Sequence, residues 1–249
     1  MELVKRHIVG NDILRVLRIR PFFLMILSEF FSQLAFNMQH FVLIFIIYGL
    51  THSNTAVSGM ILSFMIPAVL FSVITGVYVD RWNKKKVLLY THLIRATLLL
   101  PFLIPNLHLG FIYILTFLIA VATQFFVPAE SAVIPMLIPR KLIVSANAVF
   151  AFSIYGGTLI GYVLSGPVLL WFGRTNAIAL LISLFFVGAL FVSGIKINNR
   201  KKELIKENLN PSRSYSVTRE AREIFSFIRR AKKVMPSQVK LLLMHSYTI

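Results

Sequence analysis

The sequence predicts an all-α membrane protein with six transmembrane helices, and three observations lead there. Of 249 residues, 57% are hydrophobic, and the mean hydropathy is +0.77. Soluble domains average roughly 45–50% apolar, so a chain of this length would have no interior large enough to hide the excess. The apolar residues also gather into long stretches, several reaching the roughly 20 residues that cross about 30 Å of hydrocarbon. Finally, alternation at period two is absent, which argues against a barrel. A lipid-embedded backbone satisfies its own polar groups, and here that means helices.

The elements follow in chain order. Residues 1–20 form a basic cytoplasmic tail with Lys5, Arg6, Arg15, Arg18 and Arg20. The apolar segment behind it is too long for a signal-peptide core, so no cleaved signal is read. The six spans are 21–50, 56–79, 87–105, 109–127, 145–170 and 177–195. Between the second and third lies a short charged gap, Asp80-Arg81-Trp82-Asn83-Lys84-Lys85-Lys86. Between the fourth and fifth, Pro128, Pro135 and Pro139 suggest a rigid, re-entrant or interfacial elbow, since proline removes a helical donor. Residues 196–238 read as a basic linker. Within it, Ile224, Phe227, Ile228, Ala231 and Met235 share one face of an amphipathic helix, opposite Arg222, Arg229, Arg230 and Lys233. That helix lies on anionic headgroups, or the segment is a solvated connector. Residues 239–249 turn apolar again and are expected to be the truncated start of a seventh helix, being too few to span.

The formal net charge of +17 would point to nucleic acid in a soluble chain. Its placement gives a membrane account instead, and no nucleic-acid partner is expected. The tail, the 80–86 gap, Arg140 with Lys141, and 196–240 together carry 24 of the 26 Lys and Arg. These regions alternate with gaps that hold only Arg174, and the remaining cation, Arg95, lies inside the third span. By the positive-inside rule, both ends of the six-helix unit are cytoplasmic in a multi-pass protein of the cell membrane. Cysteine is absent, which excludes disulfides and thiolate metal sites and leaves the redox compartment unreadable.

The first span carries a polar stripe. At 100° per residue Glu29, Ser32, Gln33, Asn37 and His40 fall on one face. Intramembrane ionisable groups are expensive and normally face protein or a watery cavity, so this stripe is a candidate pathway and coupling site. The bland alternative is polar glue between helices. In the fifth span Gly157 and Gly161 form a Gly-x-x-x-Gly pair that permits close helix approach, and with Gly166 and Pro167 they serve packing or a hinge. Arg95 either snorkels to the inner interface or pairs with a carboxylate such as Asp80 or Glu130. His40, His52, His92 and His108 are scattered without metal-ligand spacing, and no phosphate-binding Gly-rich loop is present. No catalytic cluster, metal or cofactor is expected, so an enzyme is not the reading.

Gly76-x-x-x-Asp80-Arg81-x-x-Lys84-Lys85-Lys86, between the second and third of six spans, resembles the signature loop of the major facilitator superfamily. Ser32-Gln33-Leu34, Leu50-Thr51, Arg95-Ala96, the run from Pro128-Ala129 to Pro139-Arg140, Ala146-Asn147-Ala148 and Arg219-Glu220-x-x-Glu223 resemble its macrolide-efflux and enterobactin-exporter-like branch. The resemblance implies half of a twelve-helix fold, built as two inverted three-helix repeats, with the substrate site between halves and transport by alternating access coupled to an ion gradient. It further implies that Asp80 and Arg81 belong to a charge cluster latching the cytoplasmic side, strengthened by Lys84, Lys85 and Lys86. Four positions depart from the pattern. Asn83 replaces a glycine of the signature, Phe36 stands where many relatives carry an acid, Tyr162 replaces a proline, and the fourth span lacks an arginine.

The leading expectation is a secondary exporter of amphipathic small molecules, working with the lipid bilayer, with protons as coupling ion and with a missing carboxy-terminal six-helix half. The alternative is a six-helix membrane-binding or assembly module, or an inactive gene fragment, with no transport of its own.

Overall fold

A computed structural model describes residues 12–105 and 107–196. The expected linker beyond Lys196, its amphipathic helix and the 239–249 segment lie outside the described residues. Among those described, all regular structure is helical. Helix α1 is Arg20–Thr51, α2 Asn54–Arg81, α3 Lys84–Leu99 and α4 Leu109–Leu137. A last helical stretch, Ile143–Ser193, is divided at Gly173 (φ 71°, ψ 174°) into α5 (143–172) and α6 (174–193). That backbone conformation is open to glycine and nearly closed to other residues. A helical stretch at 12–17 precedes α1. Among the described residues five stretches are long and apolar enough to cross a membrane: Arg20–Thr51, Asn54–Ser72, Lys84–Leu103, Leu109–Leu137 and Arg140–Ser193, the last holding both α5 and α6.

The helix ends show why these boundaries hold. Ser53 accepts from the Ala56 backbone N–H at 3.4 Å to cap α2, and Asn83 accepts from that of Lys86 at 3.4 Å to cap α3. Both supply the side-chain oxygen that the first turn of a helix lacks. Asn83, in the place of a signature glycine, is therefore a cap. In α3 the ladder tightens to a 3-10 turn at Leu100–Leu103, because Pro101 has no N–H to continue it.

Two expectations are corrected. The 80–86 gap is mostly helical: α2 runs through Arg81 and α3 begins at Lys84, leaving only Trp82 and Asn83 between them. The elbow expected from Pro128 onward is also absent. Helix α4 continues through Pro128 and Pro135 to Leu137, and only Ile138–Leu142 turns the chain. Neighbouring helices shield the freed carbonyls inside a membrane bundle, so a spanning helix carries prolines that would break a soluble one.

Helix α1 is the axis of packing. Gly157 and Gly161 of α5 meet it so closely that a Cβ at either would lie 2.8 Å from the Phe30 or Leu34 carbonyl oxygen. Ser153 donates to the Ile26 carbonyl at 3.0 Å. On another side Ser28 of α1 donates to the Gly188 carbonyl of α6 at 3.1 Å. Helix α2 leans on α4, where the Tyr113 hydroxyl donates to the Ala56 carbonyl at 2.8 Å.

The apolar core comes in two parts. One gathers Leu34 to Ile47 of α1, Ala96 and Leu99 of α3, Ile112 to Ala120 of α4, and Ala177 to Phe185 of α6. The other gathers Phe22 to Ile26, Val87 and Leu88, Phe126 to Ile138, and Val192. In α1 the break falls between Ile26 and Leu34, and in α3 between Leu88 and Ala96. A layer of polar side chains fills that break.

Candidate functional site: a buried charged layer

The layer begins with what α1 and α3 place at the same depth. Ser28 and Glu29 sit in the α1 gap, 2% and 0% exposed. His92 and Arg95, three apart and so on one face of α3, are 0% and 1% exposed. Glu130 arrives from the extended part of α4 and is also buried. Arg95 therefore does not snorkel. It faces two carboxylates, Glu29 and Glu130, which act on it electrostatically and on each other. Its Nε donates to the Thr91 carbonyl at 3.3 Å, and its guanidinium carbon lies 4.4 Å from the Phe126 ring centroid and 4.8 Å from that of Phe185. Both rings are within cation–π reach of the guanidinium.

The hydrogen bonding leaves capacity unused. Glu29 Oε1 accepts from Gln33 Nε2 at 2.8 Å, while Glu29 Oε2, Arg95 Nη2 and His92 Nδ1 are buried with no hydrogen-bond partner. His92 Nε2 is 3.0 Å from Ser28 Oγ. Buried polar atoms are paired in the great majority of cases, so three unpaired ones within one layer are a signal.

From Glu29 a polar chain leads along α1 to α5. Asn37 Nδ2 contacts the Gln33 carbonyl at 2.8 Å, Gln33 Oε1 at 3.3 Å and Thr158 Oγ1 at 3.1 Å. Glu29, Ser32 and Asn37 are buried, and Gln33 and His40 half-buried. His40 stands apart from this chain. Its Nδ1 is 2.8 Å from the Phe36 carbonyl oxygen, and its ring lies 3.9 Å from that of Phe64.

The basic segment between α2 and α3 is a separate group. Asp80 and Arg81 are exposed and Gly76 half-buried, with open space where a Cβ would stand. Lys84 Nζ donates to the Asp80 carbonyl, and Lys85 Nζ donates to the Ser193 carbonyl at 2.7 Å. The second bond places a cation on the carbonyl end of α6, where the helix dipole favours it. Gly166 has no atom within 4 Å of a built Cβ, unlike Gly157 and Gly161. Among the described residues no group of three His, Cys, Asp or Glu is arranged for a metal ion.

Sequence reasoning named Glu29 and left Asp80 and Glu130 open as carboxylates for Arg95, but it missed His92 and Ser28 as members of this layer. The available signal was cost: Glu29, His92, Arg95 and Glu130 are ionisable groups placed deep in spans, and each needs a reason to be there.

Comparison with known proteins agrees with this architecture. The chain is 29% identical over 185 residues to a Bacillus subtilis (strain 168) protein described as "Uncharacterized MFS-type transporter YjbB". That match covers 72% of this chain and 45% of the relative, so the chain spans less than half the relative's length. Residues 25–248 match the family model described as Major Facilitator Superfamily. With most of its length inside that match, the chain belongs to the Major Facilitator Superfamily.

Proposed function

We propose that this six-helix unit is one half of a secondary active transporter that exports amphipathic small molecules by alternating access and draws on a proton gradient. Family membership supports membrane transport; the exporter reading rests on the likeness to macrolide-efflux and enterobactin-exporter-like permeases. The observation that carries proton coupling is the buried layer. Two carboxylates and one guanidinium, all nearly inaccessible to water, bear a net negative charge if both acids are ionised. An unbalanced charge in a low-dielectric interior is costly. One proton on Glu29 or Glu130 makes the group neutral, and release of that proton changes the charge at the depth where α1, α3, α4 and α6 meet. The Gln33–Asn37–Thr158 chain connects this change to the polar face of α1, where a substrate with polar groups would lie. Asp80 and Arg81 are assigned the role of latch on the cytoplasmic side, where Lys85 already ties α3 to α6.

The test is transport by the intact parent protein in proteoliposomes with an imposed pH gradient. Glu29→Gln and Glu130→Gln should each reduce gradient-driven export by at least about tenfold, as expected when an essential proton carrier is lost. Substrate exchange without a gradient should persist. Full gradient-driven export by both variants would remove the layer from coupling. In the same assay Asp80→Asn should slow export and exchange alike, because a latch acts on the conformational step; unchanged rates would dismiss the latch. A susceptibility panel of macrolides, siderophores and other amphipathic compounds, with and without the gene, identifies the substrate class.

A further inference from the structure

Residues of α3 and α4 line an apolar crevice of about 470 Å³. Val87, Tyr90, Ile94 and Leu98 line it from α3, at the three- and four-residue spacing that makes one helix face, opposite Ala122 and Phe125 of α4. From Val87 to Leu98 the lining extends about 16 Å by the helical rise. That is close to half of the roughly 30 Å hydrocarbon core, or one leaflet. Tyr90 and Ile94 are 56% and 47% exposed, so the crevice opens to the outside of the bundle, where lipid is the surrounding medium.

One end of the crevice is distinct. Trp82, which also lines it, stacks on Phe125 with ring centroids 5.9 Å apart and planes 9° from parallel. Tryptophan at such a position marks the headgroup level of a membrane. Immediately beyond lies the first turn of α3, which begins Lys84-Lys85-Lys86 and contains no acidic residue. Lys84 and Lys85 donate to main-chain carbonyls, and the 80–86 segment holds four cations against one carboxylate. A hydrocarbon slot one leaflet deep, ending at a tryptophan and a basic cluster, matches a chain-plus-headgroup ligand with negative charge.

We propose that the α3–α4 crevice binds one acyl chain of an anionic membrane phospholipid, whose phosphate lies against the Lys84–Lys86 cluster. The site is independent of the transported substrate and of proton coupling. It makes the α2–α3 segment, which the proposed latch shares, responsive to the charge of the surrounding lipid.

Trp82 is one of two tryptophans, so Trp171→Phe leaves it as the single fluorescent reporter. The full chain carrying that change is reconstituted into mixed phosphatidylcholine and phosphatidylglycerol vesicles, with bromine on the acyl chains of one lipid or the other at equal mole fraction. Brominated phosphatidylglycerol should quench Trp82 at least about twofold more than brominated phosphatidylcholine, given the attraction of clustered lysines for anionic lipid. Replacing Lys84, Lys85 and Lys86 with Gln should make the two lipids equal, and Ala122→Phe, which fills the crevice, should lower quenching by phosphatidylglycerol. Should the triple variant fail to insert, Lys86→Gln alone, at an exposed position, should still narrow the difference. Equal quenching with the lysines intact overturns the proposal. So does a preference that survives lysine replacement, or one that is indifferent to Ala122→Phe.

Discussion

Arg95 has no route to water at 1% exposure, and its neighbours are two aromatic rings, one carbonyl and two carboxylates. Its charge is tolerable only because Glu29 and Glu130 oppose it. Removing one partner of a buried ionic group costs about 3–5 kcal/mol, whereas removing the whole group is often neutral. Arg95→Met should therefore lower the thermal unfolding midpoint of the purified protein in detergent sharply. Adding Glu29→Gln and Glu130→Gln to that variant should recover most of the loss. If the triple replacement is no more stable than Arg95→Met alone, the three side chains do not act as one electrostatic unit. His92 belongs to the same layer through a different contact, its Nε2 resting 3.0 Å from Ser28 Oγ while Gly188 leaves room for the ring.

Helices α1 and α5 meet through glycine. A Cβ at Gly157 would stand 2.8 Å from the Phe30 carbonyl oxygen and 2.9 Å from Gln33 Cβ; at Gly161 it would stand 2.8 Å from the Leu34 carbonyl oxygen. Two of these obstacles are backbone oxygens and the third is a Cβ fixed to its backbone, so none can rotate aside, and Gly157→Leu or Gly161→Leu should force the helices apart at about 1–3 kcal/mol each. Because Asn37 reaches Thr158 across this seam at 3.1 Å, separation should also disturb the polar chain. Gly166→Ala meets open space and should leave the unfolding free energy within about 0.5 kcal/mol of the parent. A Gly157→Leu protein as stable as the Gly166→Ala protein would mean that the close contact does not govern packing.

The six helices alternate direction, so the segment joining α2 and α3 and the turn at Arg140–Leu142 lie on one side of the membrane, with the connection at His52 and Ser53 on the other. The lysine and arginine distribution leads to the expectation that the first side is cytoplasmic. The absence of cysteine makes this directly testable with single introduced thiols. In intact cells, Ser53→Cys should react with a membrane-impermeant maleimide, while Lys86→Cys and Lys141→Cys should react only after the membrane is opened. The reverse pattern would invert the orientation and place the proposed latch outside.

The membrane class, the number of spans and their approximate centres were legible in the sequence because hydrocarbon imposes a length and a composition that each segment must meet alone. So were the approach of Gly157 and Gly161 to another helix, a local pattern of small residues, and the isolation of Glu29 as a costly group. The ends were less legible. Asn83 reads as a polar gap residue until it is seen capping α3, and Pro128 and Pro135 read as breaks until α4 is seen to continue through them within the bundle. Beyond Glu29 and the open choice of a carboxylate for Arg95, the charged layer was out of reach of sequence reasoning for a stronger reason. Ser28, His92, Arg95, Glu130 and Gly188 come from four helices, and nothing in their spacing along the chain says that they share one depth. Lipid selects each helix by itself, whereas a buried charge is balanced only by groups from other helices, so its partners are settled when the helices pack.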